Sequence, residues 1–600
     1  MDQMPVWEQR VRAPVMSMPT WSRSSPDRCV YATNSSGIWQ VHVWDVAAGE
    51  RRQASAHPVG VREGYATIDG SEVIFWQEDT GDETGAWLVQ PFEGGGSEPF
   101  LQGVPRGWNE GITQASALVV AGISTDEGAF EIYVSESGET ARRIARSMAW
   151  LAVAGLYSAP ELAGVSADGS LLALQHAEHG NLMHPALRIV DPRSGAVAAE
   201  RGDGEAAVVA AAWSPVPGDQ RLAVTHEPDD RERPAIWNVA TGEWRDLEVD
   251  LPGDQRVVDW FPDGGSVLLA RRLDGRDDLH RVDLATGTAT KLDTPVGSIE
   301  HARVRPDGRV WFTHTDGVHR TRILDDTGAE PVAVDQPAPP GRPFREWRFD
   351  NGSGDMVHGW IVEPDGEGPH PVMVFVHGGP HWLYDDHYMP EVQAYVDAGF
   401  LVAMPNYRGS TGYGKAWRDA LTGDPGFTDV DDVTAGLEDL LRRSDVDPER
   451  AVIAGWSWGG YITLMQVGRN PKRWTAGVAG IPVGDYVMAY RDEAPSLQAM
   501  DRALFGGTPE EKPDLYERSN PITYADAVTA PVIFVIGEND SRCPLEQALA
   551  YVKRLEANGT PHEVYRFTTG HGSAVADEDV RQLRAILDFL QREVPGLTPV

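Results

Sequence analysis

Gly455-Trp456-Ser457-Trp458-Gly459-Gly460 follows directly on the apolar run Ala451-Val452-Ile453-Ala454. A buried strand running into G-x-S-x-G predicts a sharp strand-to-helix turn that lifts Ser457 out of its apex. Such a turn crowds the backbone, so Gly455 and Gly459 mark positions where a side chain would clash. Residues 461–467 are apolar at helical spacing and predict the helix that follows. Its free N–H groups and dipole would favour negative charge beside Ser457. The pattern does not recur elsewhere in the 600 residues.

An activated serine needs a base, and the base needs an acid to orient it. In a doubly wound sheet the three come in the chain order serine, acid, histidine, after the ends of successive strands. The β-branched run 531–536 predicts a buried parallel strand and leads into Gly537-Glu538-Asn539-Asp540. Residues 562–567 predict the next strand, followed by Gly570-His571-Gly572. Asp540 and His571 are therefore the expected acid and base, with Glu538 as a rival acid and His562 as a surface or packing histidine. Upstream, the apolar run 371–376 ends in His377-Gly378-Gly379-Pro380. A loop of this kind supplies one backbone N–H to an oxyanion, and the residue after the nucleophile, Trp458, supplies the other. His377 is then expected to brace the loop.

Six hundred residues exceed what one core usually organises, so two domains are expected. The 90 acidic residues against 52 basic ones give a formal charge of −38, scattered along the chain. Such a surface repels nucleic acid and anionic lipid, so neither is expected as a partner. The two cysteines, Cys29 and Cys543, build no disulfide framework or zinc spacing. Residues 1–21 lack a signal pattern, and no 18-residue apolar run exists. A soluble cytoplasmic protein with no membrane partner follows as the expectation.

Between residues 20 and 336 short strand-like runs alternate with turns. One kind of turn precedes an apolar strand, as in Ile68-Asp69-Gly70, Ser166-Ala167-Asp168-Gly169 and Phe261-Pro262-Asp263-Gly264. Another follows an outer strand, as in Asp191-Pro192-Arg193-Ser194-Gly195 and Asp283-Leu284-Ala285-Thr286-Gly287. A period of roughly 45 residues with four strands per unit predicts a β-propeller of about seven blades. The aspartates in these turns are read as turn formers without a functional role. The proline-rich stretch Asp335-Gln336-Pro337-Ala338-Pro339-Pro340-Gly341 marks the expected boundary. Beyond it strands alternate with helices, as a parallel α/β sheet requires. The expected division is an N-terminal segment 1–20, a propeller 21–336 and an α/β-hydrolase domain 337–600.

A propeller followed by a hydrolase domain with the elbow Gly-Trp-Ser-Trp-Gly-Gly-Tyr (455–461) resembles the prolyl oligopeptidase family of serine peptidases. The resemblance covers nearly the whole chain. His377-Gly378-Gly379-Pro380, the stretch 406–414 and Asp540-Ser541-Arg542-Cys543-Pro544 look most like its acylaminoacyl-peptidase and aminopeptidase branch. It implies Ser457 as nucleophile, Asp540 and His571 as its partners, and the N–H groups of Gly379 and Trp458 as oxyanion donors. It further implies that Arg542 holds a substrate carbonyl, the other reading being a structural ion pair. No metal or organic cofactor is implied.

The expected activity is hydrolysis of short peptides or aminoacyl amides near the N-terminus, free or blocked, through an acyl-enzyme. A free N-terminus needs a carboxylate anchor, for which Asp385, Asp386, Asp492 and Glu493 are candidates. A blocked one needs an apolar recess, for which Trp382, Tyr384, Trp458 and Tyr486 are candidates. Alternatives are an oligopeptidase or dipeptidyl peptidase of the same family, an esterase using the same three residues, or a scaffold with an inactive site. Self-association is left open.

Overall fold

The computed structural model describes residues 4–156, 160–334 and 336–600, without the side chains of 160 and 161. Asp335, the first residue of the expected connector, lies outside them, as do Met1 to Gln3. Seven antiparallel units follow one another from Thr20–Trp21 to Arg322–Asp325. Most have four strands, ordered from first to last as in Arg28–Thr33 between Thr20–Trp21 and Gln40–Asp45. Their inner strands pack against one another around an axis, which is the propeller expected from the repeat.

The Asx turns explain why the units turn where they do. Oδ1 of Asp69, Asp168, Asp263 and Asp307 each accepts the N–H of the residue two further on, at 2.9–3.0 Å. Two departures from a plain repeat stand out. The second and third units are continuous, because Gly85 pairs with Gly107 and Thr84 with Trp108. A Cβ on Gly107 would lie 2.2 Å from Ser124 O on the adjacent strand of its own unit, and one on Gly85 would lie 2.5 Å from Gln77 O, so each glycine is fixed by crowding inside its own blade. The seventh unit has three strands plus a single bridge from Val332 to Ile323. The ring closes through side chains: Trp311 of the last unit meets Trp21 at 5.9 Å and Trp44 at 6.2 Å in the first. Arg305 lies over both Trp21 and Trp311, adding cation–π attraction to the seam.

From Arg345–Asp350 onward the chain forms one eight-stranded sheet. Its first two strands, Arg345–Asp350 and Met356–Val362, join antiparallel; the other pairings are parallel. The central strands His370–Val376, Val446–Trp456, Ala476–Gly480 and Val532–Gly537 are apolar and almost wholly buried, with helices on both faces. Their carboxyl ends carry the loops singled out in the sequence and face the propeller. There His184 meets Asp419 at 2.8 Å, Arg276 meets Asp386 at 3.0 Å, and Arg418 pairs with Glu227.

The N-terminal segment does not stand apart. Helix Val6–Arg12 docks on the hydrolase helices Pro390–Asp397 and Ala576–Glu593, burying Trp7 in their core cluster. Arg584 covers Trp7, and Arg10 reaches Asp397 and the carbonyl of Pro340. Among the described residues no helix is long and apolar enough to cross a membrane.

Candidate active site

Ser457 sits between strand Val446–Trp456 and helix Trp458–Arg469 with φ 57° and ψ −117°, a strained backbone for a non-glycine residue. Two bonds hold it there: its N–H donates to Gly480 O, and its carbonyl accepts from Tyr461 N–H, both at 2.9 Å. The crowding inferred from the glycines is real. A Cβ on Gly459 would stand 2.1 Å from Val376 O, and one on Gly455 would stand 2.5 Å from Gly459.

The loop after Val532–Gly537 brings Asp540, and the loop after His562–Phe567 brings His571. Nδ1 of His571 lies 2.9 and 3.0 Å from the two Asp540 oxygens. Asp540 is 5% exposed, and its Oδ1 also accepts the N–H groups of Arg542 and Cys543. The proton on Nδ1 is thereby fixed, leaving Nε2 of His571 as the basic nitrogen. Ser457 is a side-chain hydrogen-bond neighbour of the Cys543 thiol. That sulfur, an Asp540 oxygen and a His571 ring nitrogen all lie within 4.8 Å of one another. Acid and base are therefore paired, and Cys543, in the loop that carries the acid, is the neighbour of Ser457.

Gly378 and Gly379 sit against the elbow. A Cβ on Gly378 would be 2.9 Å from Trp456 O, 3.3 Å from Ser457 Cβ and 3.8 Å from Trp458 N. Gly379 has φ +119°, which turns the backbone of this loop in a way side chains resist. His377 is buried, stacked on Tyr407 at 4.2 Å, and Nε2 meets Ser410 Oγ at 2.8 Å. Burial pushes its pKa down to about 3, so it braces the loop as a neutral ring. The rival acid Glu538 pairs with Arg566 at 3.0 Å, and Nδ1 of His562 meets Thr560 O at 2.8 Å.

The remaining candidates separate. Arg542 pairs with Glu83 of the propeller (Nε to Oε2 2.9 Å). Asp385 and Asp386 are engaged by neighbouring side chains. Asp385 is bonded to His387 and lies 3.7 Å from Arg272. Asp386 takes Arg276 and the N–H of Gly317, so both carboxylates join the two domains. Asp492 is exposed at a helix end. Tyr384 is core: it stacks on Phe375 and takes a bond from its N–H to Asn406. Tyr486 is also core, 2% exposed, with its hydroxyl donating to Asp501 at 2.9 Å. Trp382 is 45% exposed, its ring 6.0 Å from His377. Glu493 is buried beside Asp501.

Asp501 was missed, although it had a signal: it shares the buried face of helix Pro495–Phe505 with Leu504 and Phe505, where a charge is out of place. Asp429, which accepts the Trp458 indole N–H at 2.9 Å, and Glu83 had none.

Two clusters among the described residues carry metal-ligand types, His176 with His179 and Glu200, and Asp540 with Cys543 and His571. Neither set fits a metal well. Arg188 donates to Glu200 and Glu178 in the first, placing positive charge on the carboxylate a cation would use. In the second, Asp540 is spent on His571 and two backbone N–H groups, and burial pushes the Cys543 thiol well up.

Residues 386–596 match the prolyl oligopeptidase family. A Bacillus subtilis uncharacterized peptidase is 33% identical over 226 residues, 37% of this chain and 34% of the relative. The acylamino-acid-releasing enzyme of Sus scrofa is 31% identical over 196 residues, 32% of this chain and 27% of that one. The chain thus spans about a third of the length of these relatives. Among solved structures, a Mycobacterium tuberculosis puromycin-hydrolyzing peptidase superposes with a TM-score of 0.82 at 20% identity, over 99% of this chain and 97% of that one. The Pyrococcus horikoshii acylaminoacyl peptidase gives 0.72 at 17% identity, over 99% and 98%. The fold is shared from end to end, and the match to the prolyl oligopeptidase family lies in the C-terminal part of this chain.

Proposed function

We propose that the protein hydrolyses short peptides or aminoacyl amides at or near their N-terminus through an acyl-enzyme on Ser457. His571 takes the Ser457 proton as the hydroxyl attacks the carbonyl, and Asp540 stabilises the imidazolium that forms. The oxyanion is received by the N–H groups of Gly379 and Trp458, each worth about 3 kcal/mol in the transition state. His571 then protonates the leaving amine, and water repeats the sequence to free the acyl group. The names of the similar structures, a puromycin-hydrolyzing peptidase and an acylaminoacyl peptidase, support N-terminal aminoacyl or acylaminoacyl substrates.

The observation that carries the reading is the Asp540–His571 pair at 2.9 Å beside a serine held at positive φ. Its test compares wild type with Ser457→Ala for labelling by a fluorophosphonate and for turnover of aminoacyl amides. Both should vanish in the variant while its melting temperature stays within a few degrees. Wild-type turnover by Ser457→Ala would end the assignment.

A further inference from the structure

Trp382 leaves nearly half of its surface open, yet it is firmly held. Its N–H donates to Pro380 O and its carbonyl accepts from Thr411 N–H, both at 2.9 Å. Its ring meets those of His377, Tyr384 and His387 at 6.0, 5.9 and 6.2 Å, at steep angles of 66–79°. A flat side chain already fixed by its neighbours loses little freedom when another group is laid on its open face. The other aromatic side chains considered for the site, Tyr384, Trp458 and Tyr486, are buried and offer no such face.

The indole stands near the nucleophile. A Cβ on Gly378 would be 3.3 Å from Ser457 Cβ, and one on Gly379 would be 3.2 Å from Trp382 Cβ. Because these glycines are consecutive, the Cβ atoms of Ser457 and Trp382 are no more than about 13 Å apart, the reach of about four extended residues. Beyond Trp382 the propeller closes in. Asp386 N–H donates to Gly275 O at 2.9 Å, and a Cβ on Gly275 would be 3.2 Å from Asp385 Cα. On the other flank Arg231 donates to Gly412 O at 3.2 Å, next to the Thr411 that holds Trp382. The propeller thus covers the residues to either side and leaves the indole open in the gap between the domains.

We propose that Trp382 is a specificity-determining residue whose open face stacks on a flat aromatic ring of the substrate beside the cleaved bond. This rests on the peptidase reading above and names its substrate class. An indole is electron-rich on its face and electron-poor at its rim. It therefore favours a second ring, laid offset or edge-on, over a saturated group of equal size. The gain beyond buried area is a factor of about 2 to 12. The ring has two sources, the residue that acylates Ser457 or the residue that leaves.

Dipeptide amides separate the outcomes, each made with a free and an acetylated N-terminus. Leucine occupies one position, and the other carries phenylalanine or cyclohexylalanine, which has a similar outline without the flat ring. For cleavage between the two residues, a preference for phenylalanine at the first position marks the acyl side, and at the second the leaving side. In wild type kcat/KM should favour phenylalanine over cyclohexylalanine about 2- to 12-fold at one position. Trp382→Phe, which keeps a smaller ring, should retain part of that preference, and Trp382→Leu should abolish it. Equal rates for the two side chains at both positions, or a preference that survives Trp382→Leu, overturns the proposal. Calorimetry of the same amides on Ser457→Ala, with and without Trp382→Leu, reads the surface without turnover. Ring selectivity that Trp382→Leu removes supports the proposal even if no amide is cleaved, in which case only the peptidase reading falls. Thermal melts confirm that each variant is folded; if Trp382→Leu is not, Trp382→Gln removes the ring in its place.

Discussion

The indole Nε1 of Trp458 donates to Asp429 Oδ2 at 2.9 Å, so the residue expected to offer an oxyanion N–H is anchored through its side chain to a buried acid. Burial pushes Asp429 up to about 7. Its folded value therefore lies above its unfolded one, and the folded chain keeps a proton that the unfolded chain loses. Stability should fall as pH rises from about 4 to about 7 and then level off. Asp429→Asn, which still accepts from the indole, should flatten that slope by about 2–4 kcal/mol over the window. Urea midpoints at pH 4, 5.5 and 7 for both proteins check it; parallel curves would refute it.

Asp540→Asn should lower kcat by about 10⁴-fold with little loss of stability. The N–H groups of Arg542 and Cys543 both point at Oδ1, so the amide oxygen must take that position. Its NH₂ then faces His571 Nδ1 and forces the proton onto Nε2, the nitrogen that has to accept from Ser457. Steady-state rates on an aminoacyl anilide decide the matter, and a loss under tenfold would count against it.

Gly459→Ala should remove soluble, active protein. The added carbon would stand 2.1 Å from the Val376 carbonyl, backbone against backbone, with no flexible side chain to give way. A destabilisation above about 3 kcal/mol is expected, in the class of severe steric defects. A near-wild-type melt would show that the elbow yields more than its contacts imply.

Arg542→Ala should barely change the melting temperature. The Arg542–Glu83 pair joins the two domains, but its side chains are 47% and 27% exposed. Such a pair is worth under about 1 kcal/mol and is weakened by salt. A drop of several degrees that salt does not mimic would mean the contact is more than a screened ion pair.

The local part of this fold was legible. Strand His562–Phe567 was read to the residue, and the elbow, the Asp540 and His571 loops and the Asx turns all follow from short patterns whose physics is contained within them. Relationships across long separations were not. Asp385 and Asp386 looked like cleft carboxylates, because nothing local reveals that Arg272 and Arg276 of the propeller come to meet them. Tyr486 looked like a pocket wall because the sequence does not show Asp501 under its hydroxyl. The joining of the second and third blades runs through the pairing of Gly85 with Gly107, each unremarked in its own segment.

Helix Val6–Arg12 also has a history in time. It is synthesised before the propeller, yet one of the two helices it docks on, Ala576–Glu593, comes nearly at the end of the 600 residues. At about 5–20 residues per second the delay is roughly 30–120 s, far longer than a blade needs to collapse. Trp7 must wait, uncovered, while seven blades assemble between it and its pocket. The hydrolase half is thus completed by a piece of chain made long before the rest of it, and the propeller grows as a loop between the two.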